Sequence, residues 1–410
     1  MKTLLMPLTS KLRRFEELDD ILRRLKILVD GLYDSEVSPS SKEEVCRESR
    51  EFDAVIALAL TGGVEEMLLG VGEAGKPLII VAHDQLNSLA ASLEASSKLR
   101  EMGSPSWIIE AWIPGARKKI ESTLKGIEAA SRLSGLKIGL VGDISPWLVY
   151  SEPDPNSLKE IFDIELVEIS MEELYSKIES SKVDQDLMDE VLRNAKHVEI
   201  SESDLGEALR VYQALKEIVK EYGLDALTIR CFDLIKDLRT TACLALSLLQ
   251  DDGIVAGCEG DVPSLLSMIL GKLLSNSPTF IANISEIGKD YVSLAHCTIA
   301  LSIVDEYHLL THFESGIGVG VSGRIYDGGR VTLLRFRPDL RKIRVIRGMI
   351  LDGNPSKMLA CRTQFRIRVE GDPRRIVEDP LGNHHVMVLG DFVDAVKSFC
   401  TLKGIEVEVL

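Results

Sequence analysis

DAVIALALTGG, residues 53–63, decides the fold class. After its aspartate comes an apolar run of strand length, too short for a buried helix, and the Thr-Gly-Gly that ends it supplies a tight turn. The next residues, VEEMLLGVGEAG, have helical period. PLIIVAH (residues 77–83) repeats the strand, and NSLAASLEASSKLREMG (residues 87–103) repeats the helix, with Asn87 as its cap and Gly103 at its end. Strand and helix in alternation is the pattern of a parallel sheet covered by helices.

Outward from there the pattern recurs. GLKIGLVGD (residues 135–143) opens a second series, continued by IELVEIS (164–170), a mostly helical stretch over 171–220, and ALTIRCF (226–232). After about residue 300 long helical patterns give way to GRVTLLRF, KIRVIRGMI, CRTQFRIRVE and HHVMVLG, which are β-branched and alternating. A closing helix over 391–402 and a last strand over 404–410 follow. The expected fold is α/β, with two doubly wound Rossmann-like domains (1–134 and 135–300) and a smaller β-rich C-terminal domain (301–410).

With 64 acidic against 48 basic residues, the net charge of −16 opposes extended contact with nucleic acid or anionic lipid. The seven cysteines, at 46, 231, 243, 258, 297, 361 and 400, are spread out with no C-x-x-C pair, and read as reduced thiols of a cytoplasmic protein. The apolar run at the start is too short for a signal peptide, and Lys11, Arg13 and Arg14 follow it instead of preceding it. No window reaches the roughly 20 apolar residues of a membrane span. A soluble, cytoplasmic protein without nucleic-acid or membrane partners is expected.

GIVAGCEGD (residues 253–261) carries the chemistry: a short buried strand delivers Glu259 and Asp261 to its C-terminal end, where the helix VPSLLSMILGKLL begins. Ligands of open α/β sheets bind at such ends. A carboxylate there needs compensation by a metal, a cation or the helix N-terminus, and Asp261 also reads as a plain N-cap. PTFIANI, taken as the next strand of the same sheet, ends near Asn283, and VSLAHC carries His296 at its end. In GNHHVMVLGD, strand alternation points His384 and His385 to opposite faces, so that one of them serves a given site. One carboxylate and two imidazoles suit Mn²⁺, Fe²⁺ or Zn²⁺.

Together with ALTGG, KIGLVGDISPWL, IRCFDLI, FIANIS, AHC and HFESGIGVGVSG, in this order over nearly the whole length, these motifs resemble the L-fucose/L-arabinose isomerase family, in its fucose isomerase-like branch. The resemblance implies a homo-oligomer, a trimer or hexamer, with active sites between subunits, that interconverts aldose and ketose with a divalent metal, usually Mn²⁺. It implies that Glu259 is metal ligand and proton-transfer base, that His384 is the C-terminal metal ligand and that His296 is a further one. It also implies that His312, Glu314 and Ser315 line the sugar pocket; His385 is a further substrate-binding candidate, and His83 and Asn87, at strand ends of the first domain, are placed for a neighbouring subunit to hold sugar hydroxyls with them. Asn283 departs from the family, whose members carry there a metal-binding aspartate that shares the proton transfer. An amide still offers an oxygen to an ion but takes no proton at neutral pH.

An enediol route needs a carboxylate to carry the proton between C1 and C2 and an electrophile to hold the developing charge. Glu259 is the expected carrier, with Asp261 or Glu286 as substitutes for the missing aspartate. A lyase or epimerase, or a non-catalytic sugar-binding protein, are the alternatives that Asn283 leaves open. Trp107, Trp112 and Trp147 read as core. The basic run RFRPDLRKIRVIR (residues 335–347) has the cations for a sugar phosphate or sulfonate, against a solvated strand face as the plainer reading.

Overall fold

The computed structural model describes residues 1–10, 18–326, 328–355 and 359–410, so Lys11, Arg13 and Arg14 lie outside the described residues. It is a mixed α/β protein with parallel sheets and a closed β-barrel region. Two compact units form, residues 1–131 with 394–404, and residues 132–393 with 405–410.

In the first unit a five-stranded parallel sheet runs in the order Ser35–Glu36, Thr3–Leu8, Ala54–Ala59, Leu78–Ala82, Ser106–Glu110. Both of its faces are apolar because both are covered. Leu4, Met6, Val55, Ala57 and Ile80 pack on one side, and Leu5, Ile56, Leu58, Ile79 and Val81 on the other. The N-terminal apolar run is thus the wholly buried strand Thr3–Leu8, an element that sequence reading passed over in favour of residues 53–60 as the first strand. The closing helix Val393–Lys403 belongs here from Asp394 onward, not with the β-rich end of the chain. Gly126 makes its seat, since an added Cβ would collide with the Ala395 carbonyl.

In the second unit a four-stranded parallel sheet has the order Val255–Cys258, Ala226–Ile229, Lys137–Val141, Glu165–Ile169. The barrel is built from Arg330–Phe336, His384–Leu389, Phe280–Ile287, Tyr291–His296, Thr363–Val369 and Lys342–Asp352, and the last of these pairs back onto the first. All six pairings are antiparallel. Closure is what the alternating segments call for. Phe280, Leu294, Leu333, Ile346, Phe365 and Met387 occupy every second position and fill one apolar cluster, and a closed sheet leaves no unpaired edge.

Residues 278–297 were expected in the central parallel sheet and instead form two barrel strands. Their apolar character is the same in either setting, and periodicity does not tell a strand which neighbour it will pair with. The helix Val262–Ser275 links the edge strand of the parallel sheet to the barrel. Gly271 lets it settle on the barrel, where an added Cβ would lie 2.6 Å from Val388. None of the described helices is long and apolar enough to cross a membrane.

Candidate active site

Strand Val255–Cys258 ends in a turn that the backbone makes with some strain. Glu259 has φ +64° and Gly260 has φ +73°, two successive left-handed residues. For a residue with a Cβ this region costs about 1–3 kcal/mol and persists where the surroundings over-determine it. Here the Ser145 N–H donates to the Glu259 carbonyl at 2.9 Å. Gly260 packs so closely on the 143–144 backbone that a Cβ would collide with the Asp143 carbonyl and sit 2.8 Å from the Ile144 Cα. The turn after one strand is thus clamped by the turn after another, and it presents the buried Glu259 carboxylate as it does.

The barrel supplies the groups that face this carboxylate. His384 opens one strand, His296 ends another, and Asn283 stands directly across the ladder from His384. His296 Nε2 and His384 Nε2 each lie 3.6 Å from Glu259 Oε1, too far for a hydrogen bond. One ligand atom from each of the three residues lies within 4.8 Å of the others. Ligands about 2.1 Å from one ion stand roughly 3–4 Å apart, so the three could hold a metal ion. His384 Nε2 is buried without a hydrogen-bond partner, the condition of an atom placed for coordination.

Asp261 has a different task. Fully buried, it caps the helix by accepting from Ser264 N at 2.9 Å, accepts both contacts of the Arg335 guanidinium (2.7 and 2.9 Å), and meets His384 Nδ1 at 2.9 Å. A carboxylate on the far nitrogen of an imidazole fixes its tautomer and leaves Nε2 as the ligand atom. With its oxygens so engaged, Asp261 is not free to carry a proton to a substrate, contrary to the expectation that it substitutes for the missing aspartate. Glu286, the other substitute, accepts from Tyr291 and Ser293 hydroxyls outside the recess.

The basic run is solvated only in part, with Arg341 exposed, and its described cations are taken up by carboxylates instead of standing ready for an anion. Arg335 and Arg344 are fully buried, Arg335 on Asp261, Ser151 and the Leu381 carbonyl, and Arg344 on Glu408 and Asp379. Arg337, Arg341 and Lys342 pair with Asp339, Glu160 and Asp379. Strand alternation says which residues share a face, but nothing about which distant carboxylates will meet it.

A recess of about 20 Å³ lies over the cluster, room for about one water or ion. Glu259, Asn283, His296, His312 and Glu314 line it. Ser315 stands behind His312, its N–H donating to Nδ1 at 3.4 Å with its hydroxyl 3.0 Å from the same nitrogen. Asn283 Oδ1 accepts from Asn383 at 2.8 Å. Trp147, expected in the core, is 48% exposed and donates its indole N–H to Glu259 Oε2 at 2.6 Å. It packs edge-on against Phe232, which meets His312 in the same way. The roles of Trp147, read as core, and of Asn383 are not legible in the sequence because each acts through a partner 112 or 100 positions away. His385 points away from the cluster, fully buried, and its ring stays neutral with a pKa near 3, through burial first and then Arg335 and Arg344. His83 and Asn87 belong to the first unit. Asn87 takes a left-handed conformation before helix Ser88–Glu101 and makes no side-chain cap, contrary to expectation.

Burial alone would raise the Glu259 and Asp261 carboxyls. The imidazoles of His296 and His384 outweigh it at Glu259, and Arg335 with His384 at Asp261, so both lie well below the usual carboxylate range. Burial would lower His384, but its two carboxylates hold it up at about 9. His312 falls to about 4, through burial first and then His296 and Arg362, and is neutral at pH 7.

No protein-family model matches the chain. Among curated proteins, the chain is similar to sulfoquinovose isomerases. That of Clostridium sp. (strain MSTE9) is 25% identical over 366 residues, 82% of this chain and 78% of the relative. Those of Alkalicoccus urumqiensis and Priestia megaterium are each 24% identical, over 79% of this chain and 76% of theirs. Among solved structures, Escherichia coli D-lactate dehydrogenase aligns with 67% of this chain at 12% identity and a TM-score of 0.18, which carries no argument.

Proposed function

We propose that this chain is a metal-dependent aldose–ketose isomerase acting on an open-chain sugar through an enediol, with sulfoquinovose, a sulfonated aldose, as the first substrate to try. The observation that carries the reading is the convergence of Glu259, His296 and His384 from two separate sheets, with one nitrogen of His384 left without a partner. The similarity to sulfoquinovose isomerases over most of the chain supports it independently.

Glu259, His296 and His384 would hold the ion, Mn²⁺ by the family resemblance, with the Asn283 amide oxygen beside them. When bound, a divalent ion polarises the carbonyl and lowers the cost of enediolate charge. Glu259, ionised at neutral pH, takes the proton from the carbon next to the carbonyl and returns it to the neighbouring carbon. Trp147 holds the other carboxylate oxygen in place. His312, neutral and accepting at Nδ1, keeps its proton on Nε2 as a donor to a sugar oxygen. Asp261 keeps His384 in the ligating tautomer and carries no proton itself. Glu314, the second carboxylate along the recess, moves the hydroxyl protons in place of the aspartate that Asn283 replaces.

Since the recess holds about 20 Å³, room for about one ion, a sugar would meet that ion at the mouth of the recess. The described lining residues include no Lys or Arg, so a sulfonate would be bound at the other end of the sugar, outside the described lining. By the family resemblance the protein works as a homo-oligomer, and its spread-out cysteines suit a reducing compartment such as the cytoplasm. The test is a panel of aldoses, sulfoquinovose among them, with Mn²⁺ in D₂O, followed by NMR. The reading expects a ketose product with solvent deuterium at the proton-transfer carbon. Binding without turnover, or an epimer or cleavage product in place of ketose, overturns it.

A further inference from the structure

Five of the seven cysteines, far apart in sequence, line the recess beside Glu259: Cys231, Cys243, Cys258, Cys297 and Cys361. Their thiols are not needed for proton transfer, and an apolar side chain of similar size would pack as well. Cys297 and Cys361 share a side-chain hydrogen bond, and Cys231 and Cys258 stand in direct sulfur contact. Cys258, the last residue of strand Val255–Cys258, has its sulfur 2.9 Å from that of Cys231, which follows the neighbouring strand Ala226–Ile229.

We infer that Cys231 and Cys258 form a dithiol modification site through which peroxide closes the catalytic recess. One thiol attacks hydrogen peroxide to give a sulfenic acid and water; the second displaces water from that sulfur to give the disulfide. The two thiols lose two electrons and two protons, and the peroxide becomes two waters. A disulfide holds its sulfurs about 2.05 Å apart, so the pair closes by about 0.9 Å. Both neighbours in sequence then move. Cys258 precedes the strained Glu259, and Cys231 precedes Phe232, which touches both Trp147 and His312. Both residues line the recess and are 5% exposed or less, so the recess is the route by which a small oxidant would reach them.

The experiment treats the full-length protein with hydrogen peroxide, blocks remaining thiols with iodoacetamide and maps peptides by mass spectrometry, with and without dithiothreitol. A Cys231–Cys258 linked peptide forming before any other, and lost on reduction, is the expected result. Free Cys231 and Cys258 thiols after treatment, a first link between other cysteines, or sulfinic acid at either position in place of the link overturns the proposal. A second arm rests on the isomerase reading: turnover falls by about a hundredfold on oxidation and returns on reduction. Cys231→Ser is expected to resist peroxide in that arm. The linked peptide is read without any substrate, so a wrong assignment of activity leaves the first arm intact. Unchanged turnover in a fully linked, active protein removes the claim that the link closes the site.

Discussion

His83 in the first unit and His384 in the second both stand at strand ends, both are buried, and sequence reading assigned both to a site. Their nitrogens differ. His83 Nε2 meets the Leu60 carbonyl at 3.0 Å and Nδ1 accepts from Gln85 N at 3.2 Å, so the ring is consumed by its own backbone. His384 gives one nitrogen to Asp261 and aims the other, without a partner, towards Glu259. A buried polar atom left unsatisfied has a cost, and at His384 Nε2, which faces Glu259 and His296, a bound ion would relieve it. The same contrast separates the turns. The Thr61-Gly62-Gly63 turn uses a glycine where φ is +79°, whereas the second unit puts Glu259 in the left-handed region.

The largest effect is expected at Glu259. Glu259→Gln removes the proton carrier and one negative ligand, and ketose formation should drop by about 10²–10⁴-fold in NMR or coupled assays. Retention of full turnover would break the assignment of chemistry to this turn. Next comes Asp261→Asn, which strips the countercharge from the buried Arg335. Denaturant unfolding should show a loss of about 3–5 kcal/mol. A shift under 1 kcal/mol would mean that the network is not the support described.

The pH dependence sharpens the comparison from the other side. His384 has its pKa raised to about 9 in the metal-free protein. Its stabilising contribution is complete below the ordinary histidine value near 6.5 and is lost as pH rises through 9. An ion needs the neutral ring, so protons compete with it, and affinity should rise by about tenfold per unit between pH 6.5 and 9 with proton release. Calorimetry in buffers of different ionisation enthalpy reads this; affinity that does not change with pH counts against His384 as a ligand. The smallest catalytic effect is expected for His83→Asn, which should cost about 1–3 kcal/mol of stability and leave kcat unchanged in the same assay. A large fall in kcat with stability intact would place His83 among the sugar contacts after all.

Much of the architecture was legible because local period reports local structure. Residues 53–60, 77–83 and 135–143 became strands as their apolar runs require. Glu259 stood out because a carboxylate at the end of an apolar strand needs a compensating charge, and the HH doublet because alternation forces its members apart. The barrel was not legible: PTFIANI and VSLAHC look alike in a parallel sheet and an antiparallel barrel, and only long-range pairing with residues 363–369 and 384–389 distinguishes them. Trp147 escaped for a related reason. An indole in an apolar context reads as core until the carboxylate that its N–H reaches, 112 positions on, is brought alongside.

The central claim is that the chain folds a carboxylate and two imidazoles around one cation. Calorimetric titration of the metal-free protein with Mn²⁺, in parallel with His384→Ala and Glu259→Gln, tests it most directly. One ion per chain, with binding lost or weakened by about 10–100-fold or more in each variant, is the predicted result. No binding, or binding that both substitutions leave unchanged, would contradict it.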